Sequence, residues 1–280
     1  MFQVKRAGVL AAILVGSLFF LPPFNGWPGK GKEFLVDLFD DRPEQTVLFL
    51  GNSRTFYHDM PHMVRLIAES AGYPKNLHIE MEAKPGISLG DHLKNPQTRA
   101  LIAQRWDDVV LQVLSSEQYS AQTAGDAWEV AAGLVRDIKA NGARPAMFVT
   151  WRYTDQCTAN AGMPPSAAGL SPAGYPGMHL NIQQQHARLA ALTGVDLVNV
   201  GLVWEALQSQ PIGFPLYDDC NHPSIHGSYL SALMFYAYFS GGDVLDVTFR
   251  PVGISPEDAE MLRMAVSRYL KDRGEAKTPT

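Results

Sequence analysis

Apolar and polar residues along this chain fall into blocks of two different periods. Short aliphatic and β-branched runs occur at Thr46–Leu50, Leu77–Met81, Asp108–Gln112, Ala146–Trp151 and Asp196–Val200, each the length of a buried strand. Between them, apolar residues recur at helical spacing over Met60–Ala71, Leu93–Gln104, Ala127–Ala140 and Met178–Leu192, punctuated by Gly72, Pro85-Gly86 and Asn141-Gly142. Two more helices are predicted at Ser224–Phe239 and Pro256–Leu270. The second has Ser255 as its amino-terminal cap and Glu257 and Asp258 in its first turn. Strands that alternate with helices imply a parallel sheet with right-handed crossovers and helices on both faces. The pattern therefore predicts an α/β class, with a five-stranded parallel sheet and site residues in the loops at the strands' carboxyl ends. Arg152–Pro176, rich in Pro, Gly, Ala and Ser, reads as a long loop.

Composition narrows the function classes without choosing one. The 280 residues are 46% hydrophobic and 18% charged, which fits a globular enzyme and excludes disorder over most of the chain. A net charge of −5 with no Lys/Arg cluster gives no footprint for nucleic acid. The first residues differ from the rest. Lys5 and Arg6 precede an uncharged apolar run, Ala7–Pro22, and a Gly/Pro-containing tether follows over Gly26–Lys32. Basic residues ahead of an apolar run read as an export signal, although this run is short of the ~20 residues that span a bilayer comfortably. Residues 1–32 thus read as a signal peptide or an amino-terminal membrane anchor with its tether, both open, with a buried amino-terminal helix of the domain as the remaining alternative. The domain covers 33–272, and 273–280 is a frayed tail. The expected location is exported, periplasmic or membrane-anchored.

The candidate chemistry lies at two separated places. Val47-Leu-Phe-Leu-Gly-Asn-Ser53 runs a strand directly into a small polar turn, which sets the Ser53 hydroxyl at the sheet's carboxyl edge. A serine is a poor nucleophile until a base takes its proton and a third group fixes that base. Asp219-Cys-Asn-His222-Pro223 supplies a carboxylate and an imidazole from one loop, and Pro223 keeps His222 out of helical geometry. Asp218 is the rival carboxylate, one residue out of register. Trp151 and Tyr153, flanking Arg152 after the fourth strand, are tentative substrate-binding residues, with packing of the long loop as the alternative. His58, His62 and His92 fall near the predicted site loops, and His226 on a helix face. Cys157 and Cys220 lack metal-site spacing. Topology brings both to the carboxyl edge, where a disulfide and two free thiols are equally open.

Four blocks in order carry a family resemblance. They are Gly51-Asn-Ser53 after a strand, the Lys84-Pro-Gly-Ile-Ser-Leu-Gly90 turn, Trp106-Asp-Asp-Val-Val-Leu-Gln112, and Asp219-Cys-Asn-His-Pro-Ser-Ile-His-Gly-Ser-Tyr-Leu-Ser-Ala232. From Thr46 to Tyr238 the chain resembles the SGNH (GDSL-type) hydrolase superfamily. The resemblance implies a flavodoxin-like three-layer sandwich, with Ser53 as nucleophile, His222 as base and Asp219 as its orienting partner. It also implies an oxyanion hole built from the serine N–H, the Gly86 N–H (Gly90 being the alternative register) and an amide that maps to Gln112, with Asn52 next in line. No metal or cofactor is implied. The implied activity is hydrolysis of an O-acetyl or short acyl ester, with a carbohydrate ester as the favoured substrate. The alternatives are a lipid or thioester hydrolase, and a cell-envelope polysaccharide acyltransferase or binding component.

Overall fold

The computed structural model describes residues 41–154, 157 and 175–274. Strand β1 (Glu44–Gly51) sends alternate side chains to opposite faces of the sheet. Val47 and Phe49 enter one core, while Leu48 and Leu50 enter the other. The same division holds along β3 (Asp108–Leu111), where Val110 faces the first core and Val109 and Leu111 the second. Both faces of these strands are apolar because both are covered, as parallel sheets require. With β2 (Asn76–Ala83), β4 (Arg144–Phe148) and β5 (Asp196–Val198) they form a five-stranded, all-parallel sheet in the order β2-β1-β3-β4-β5. The order reverses at β1, so a crevice opens outside its carboxyl end.

A four-residue helix, α1 (Ser53–Phe56), follows β1 and leads through a 3-10 turn (Tyr57–Asp59) into α2 (Met60–Ser70). α3 (Leu89–Lys94) and α4 (Pro96–Ile102) join β2 to β3, and α5 (Ala127–Ala140) joins β3 to β4. α6 (Tyr175–Thr193) precedes β5. Then come α7 (Val200–Gln208), α8 (Ile225–Ser240) and α9 (Pro256–Asp272). Helices α2, α7, α8 and α9 cover one face, and α3 to α6 contribute to the other. The expected three-layer α/β sandwich is the observed one.

α8 is apolar almost all round because it is buried almost all round. Its Phe235 packs edge-on to Phe49 (ring centroids 4.9 Å apart) and to Phe148 (5.0 Å), joining the helix to two central strands. Burying one such ring contributes about 1.5–3 kcal/mol. Gly227, in the first turn of α8, has no room for a β-carbon, which would lie 2.4 Å from both the Leu216 carbonyl oxygen and the Trp204 ring.

Some element boundaries differ from those the sequence predicts. The expected helix Leu93–Gln104 is two helices, broken where Asn95 precedes Pro96 and caps the second one by accepting from Gln97 N–H at 2.9 Å. β4 ends at Phe148 rather than Trp151, because Trp151 turns inward and stacks on Trp204 at 3.7 Å. β5 stops at Val198, and α7 was not foreseen: its β-branched, glycine-containing start reads as a continuing strand. Ser255 caps α9 as expected, accepting from Asp258 N–H at 3.0 Å. The predicted leader and tether (1–32), most of the predicted loop Arg152–Pro176 and the tail from residue 275 lie outside the described residues. Among the described residues no helix is long and apolar enough to cross a membrane.

Candidate active site

The turn after β1 is built to hold Ser53 still. Asn52 caps α1, its carbonyl accepting from Thr55 N–H (2.9 Å) and Phe56 N–H (3.2 Å). Gln112, immediately after β3, fastens Asn52 from the side. Its Oε1 accepts from Asn52 N–H (3.0 Å) and the Thr55 hydroxyl (2.9 Å), while its Nε2 donates to Asn52 Oδ1 (2.9 Å) and Val113 O (3.0 Å). The amide orientation is unambiguous, because a backbone N–H only donates and a backbone carbonyl only accepts. Gly51 must be glycine here, since a β-carbon would meet Thr55 Oγ1 at 2.3 Å and Gln112 Oε1 at 3.0 Å. His92, wholly buried, donates through Nε2–H to Gly51 O at 2.8 Å. Burial, partly opposed by that bond, lowers its pKa, so it is a neutral brace.

The candidate acid and base, Asp219 and His222, arrive on the loop between Tyr217 and Ser224. His222 Nε2 lies 3.0 Å from Ser53 Oγ, and its Nδ1 lies 2.6 Å from Asp219 Oδ2. Asp219 Oδ1 also accepts from the backbone N–H groups of Asn221 and His222, both at 2.6 Å. Burial alone would raise the Asp219 pKa. The hydrogen bonds from His222 and Asn221 outweigh it and hold the carboxyl below its ordinary range. An ionised Asp219 fixes the Nδ1–H tautomer, which leaves the Nε2 lone pair facing the serine hydroxyl. Asp218 is turned elsewhere, 3.4 Å from His58 Nε2, so Asp219 is the carboxylate on the imidazole.

Several groups hang this loop in place. Cys220 is bridged to Cys157 with their Cα atoms 4.8 Å apart, and Thr154 N–H donates to Cys220 O at 3.0 Å. Trp151 Nε1–H donates to Asn221 O at 3.0 Å. Arg54, the residue after Ser53, is fully buried. It sends Nε and Nη2 to Asn221 Oδ1 (3.1 and 2.8 Å), and Nη1 to Thr150 Oγ1 (3.0 Å) and the Trp151 carbonyl. Burial lowers its pKa to about 10, with the carboxylate of Asp219 among the charges opposing that shift. The guanidinium stays charged at neutral pH and lies over the Trp151 ring, 4.9 Å from its centroid.

Two expectations require correction. Gln112 offers nothing to an oxyanion, because both of its amide hydrogens are already bound to Asn52 and Val113. It is a brace for the turn that carries Ser53. Trp151 and Tyr153 are wholly buried and cannot stack on a substrate. Trp151 lies between Trp204 and the acid–base loop, and the Tyr153 hydroxyl bonds to Ser115 Oγ at 3.0 Å. Both carry the alternative role of packing. Asn52 Nδ2 reaches Ile87 O (3.3 Å), which holds the turn containing Gly86 against that of Ser53. Gly86 takes a φ of +64° there, a left-handed conformation that suits glycine.

Arg54, Asn221 and Tyr57 were missed as site residues. Tyr57 lies flat on the His222 ring. A single aromatic in a turn gives no periodic signal, and a lone arginine after the nucleophile reads as a solvated helix residue until its burial is seen. Among the described residues no group of three or more His, Cys, Asp or Glu side chains is placed to hold a metal ion.

No family model matches the chain, and no curated protein is significantly similar to it. Solved structures are similar. A candidate SGNH hydrolase from Slackia heliotrinireducens is 28% identical over 70% of this chain and 99% of its own, with a TM-score of 0.55. A DUF4886 family protein from Bacteroides uniformis aligns over 84% of this chain and 97% of its own at 18% identity, TM-score 0.64. A candidate GDSL-like lipase from Parabacteroides merdae aligns over 72% and 98% at 12% identity, TM-score 0.56. The parallel sheet and its order, the strand-to-serine turn and these likenesses together show that the chain has the α/β fold of its SGNH (GDSL-type) hydrolase neighbours.

Proposed function

We propose that the protein is a serine ester hydrolase whose catalytic residues are Ser53, His222 and Asp219. The observation that carries this reading is the unbroken relay Ser53 Oγ–His222 Nε2 (3.0 Å) and His222 Nδ1–Asp219 Oδ2 (2.6 Å), drawn from segments 169 residues apart. In acylation, His222 Nε2 takes the Ser53 proton as Oγ bonds to the ester carbon. The carbon–oxygen bond to the alcohol then breaks, and Nε2 returns the proton to the departing oxygen. In deacylation, water gives a proton to Nε2 and its oxygen bonds to the acyl carbon. The Oγ–carbon bond breaks, Nε2 returns that proton to Oγ, and Ser53 is restored as the acid leaves. The oxyanion faces the Ser53 N–H, which has no partner within the first turn of a helix, and the Gly86 N–H. One such donor is worth about 3 kcal/mol of barrier.

The acyl group is acetyl or similarly short, and the alcohol is a carbohydrate hydroxyl. This substrate class rests on the superfamily resemblance alone, because the burial of Trp151 and Tyr153 removes the stacking argument for a sugar. Residues 1–32 direct export or tether the domain to a membrane. The Cys157–Cys220 bridge supports an oxidising compartment. The test is to incubate residues 33–280 with p-nitrophenyl acetate and with acetylated oligosaccharides, with and without an acceptor sugar. Release of free acetate that Ser53→Ala abolishes is the expected result. Acetyl transfer to the acceptor without acetate release would contradict hydrolysis.

A further inference from the structure

Asn221 is a buried amide whose NH2 end is aimed at the reacting base. Arg54 has only donors, so the oxygen that receives both its Nε and its Nη2 is Oδ1 of Asn221. The Asn221 NH2 must then point the other way, and its nitrogen lies 3.4 Å from His222 Nε2. The lone pair there already accepts the Ser53 hydroxyl at 3.0 Å. The amide contact is accordingly long, and the buried NH2 is weakly satisfied while the serine holds its proton. Once Nε2 is protonated it no longer accepts, and the amide N–H beside it loses that partner. Both N–H groups then need one acceptor, and the oxygen that Nε2 serves is that acceptor.

From this geometry, and resting on the serine-esterase reading, we infer that Asn221 is a catalytic residue that donates a hydrogen bond to the leaving-group oxygen in acylation. In deacylation it does the same for the attacking water oxygen, which occupies the same place. A proton passing between Nε2 and that oxygen requires them within about 2.6–3.2 Å, and the Asn221 nitrogen lies 3.4 Å from that same Nε2. Asn221 transfers no proton. It stabilises charge on an oxygen that is leaving, a contact stronger in the transition state than in the bound ester. Arg54 is a positioning residue: its fork locks the amide so that NH2, and never Oδ1, faces the reaction. This role also accounts for a buried guanidinium beside the nucleophile that bonds an amide rather than a carboxylate.

The role has a signature that packing lacks. An alcohol of high basicity departs with more charge on its oxygen than p-nitrophenolate, which spreads its charge over the ring. The experiment measures kcat/KM for p-nitrophenyl, phenyl and alkyl acetates on the unaltered protein and on Asn221→Ala, Asn221→Asp and Arg54→Gln. Asn221→Asp keeps the acceptor for Arg54 and removes the donor. Fluorophosphonate labelling of Ser53 and thermal melting are measured on each protein. The expected loss is about tenfold on p-nitrophenyl acetate and about 100-fold or more on the alkyl ester, in Asn221→Asp even where its melting temperature is unchanged. Arg54→Gln should show the same dependence on the leaving group. An equal loss across the series, or none, in a folded Asn221→Asp would overturn the inference while leaving the esterase reading intact. No labelling of Ser53 in the unaltered protein would overturn that reading and the inference with it.

Discussion

The ring of Tyr57 lies flat on the imidazole of His222, with centroids 4.3 Å apart and planes within 3° of parallel. The contact joins the turn after Ser53 to the loop that carries His222, so one residue reports on the position of the other. It is delivered by an unusual backbone: His58 and Asp59, directly after Tyr57, both have positive φ (54° and 51°) without being glycine. Such residues persist only where their surroundings hold them. Here Ser228 of α8 bonds both to His58 Nδ1 (3.0 Å) and to the Tyr57 carbonyl (3.3 Å).

Replacing this ring should therefore cost rate more than stability. Tyr57→Leu is expected to lower kcat on p-nitrophenyl acetate by about tenfold, the scale of roughly 1.4 kcal/mol in barrier, as the imidazole gains freedom. Tyr57→Phe keeps the stacked face and should retain near-normal kcat. Steady-state kinetics on both variants decides the point, and equal loss in the two would assign the effect to the hydroxyl instead.

Gln112 makes an opposite prediction. Changing it to Glu puts a carboxylate oxygen against Asn52 Oδ1 and Val113 O, where two N–H donors now sit. A buried acceptor facing acceptors costs about 2–4 kcal/mol of stability. Gln112→Glu should thus lower the denaturation midpoint. A variant of native stability with only kcat reduced would return Gln112 to the oxyanion hole.

The division between what the sequence shows and what it hides follows from physical cause. Strand and helix periods are properties of neighbours along the chain, so the α/β alternation and the Ser255 cap are visible in order of residues alone. Asp219 and His222 are legible for the same reason, lying on one short loop with Pro223 fixing its exit. The roles of Gln112, Trp151 and Tyr153 depend on which way a side chain turns at a strand's end, and there the tertiary environment decides. Arg54 and Asn221 meet across 167 residues, and no local pattern in either segment names the other.

The cysteine bridge gives a second measurement of loop anchoring. Cys220 sits between Asp219 and Asn221, and its partner Cys157 is 63 residues away. Closing a loop of that size stabilises a fold by about 2–4 kcal/mol. Cys157→Ser combined with Cys220→Ser should lower stability by that order and reduce kcat as well, because the acid–base loop loses an anchor. Thiol titration of the oxidised, unfolded protein should find neither cysteine free, and two titratable thiols would contradict the bridge.

Glu117 predicts how stability depends on pH. Burial, the largest cause, and the charges of Asp126 and Asp91 push its carboxyl up to about 7, against a smaller opposing backbone hydrogen bond. Between the ordinary value of 4.5 and about 7, the folded chain holds this proton and the unfolded chain does not. Its contribution is fully present below that window and declines as pH rises through it. With solvent screening of this partly exposed group, the loss is about 1–2 kcal/mol. Urea denaturation at pH 5 and pH 8 should show Glu117→Gln relatively more stable at the higher pH; an identical pH dependence in both proteins would contradict the assignment.

An activated Ser53 reacts with a fluorophosphonate, and labelling with one tests for it without requiring the natural ester. The measurement is the modified residue, mapped by peptide mass spectrometry on the folded protein and on His222→Ala. A single phosphonylated site at Ser53 is expected, formed rapidly in the unaltered protein and strongly slowed in His222→Ala. No modification, modification at another serine, or undiminished labelling of Ser53 without His222 would contradict it.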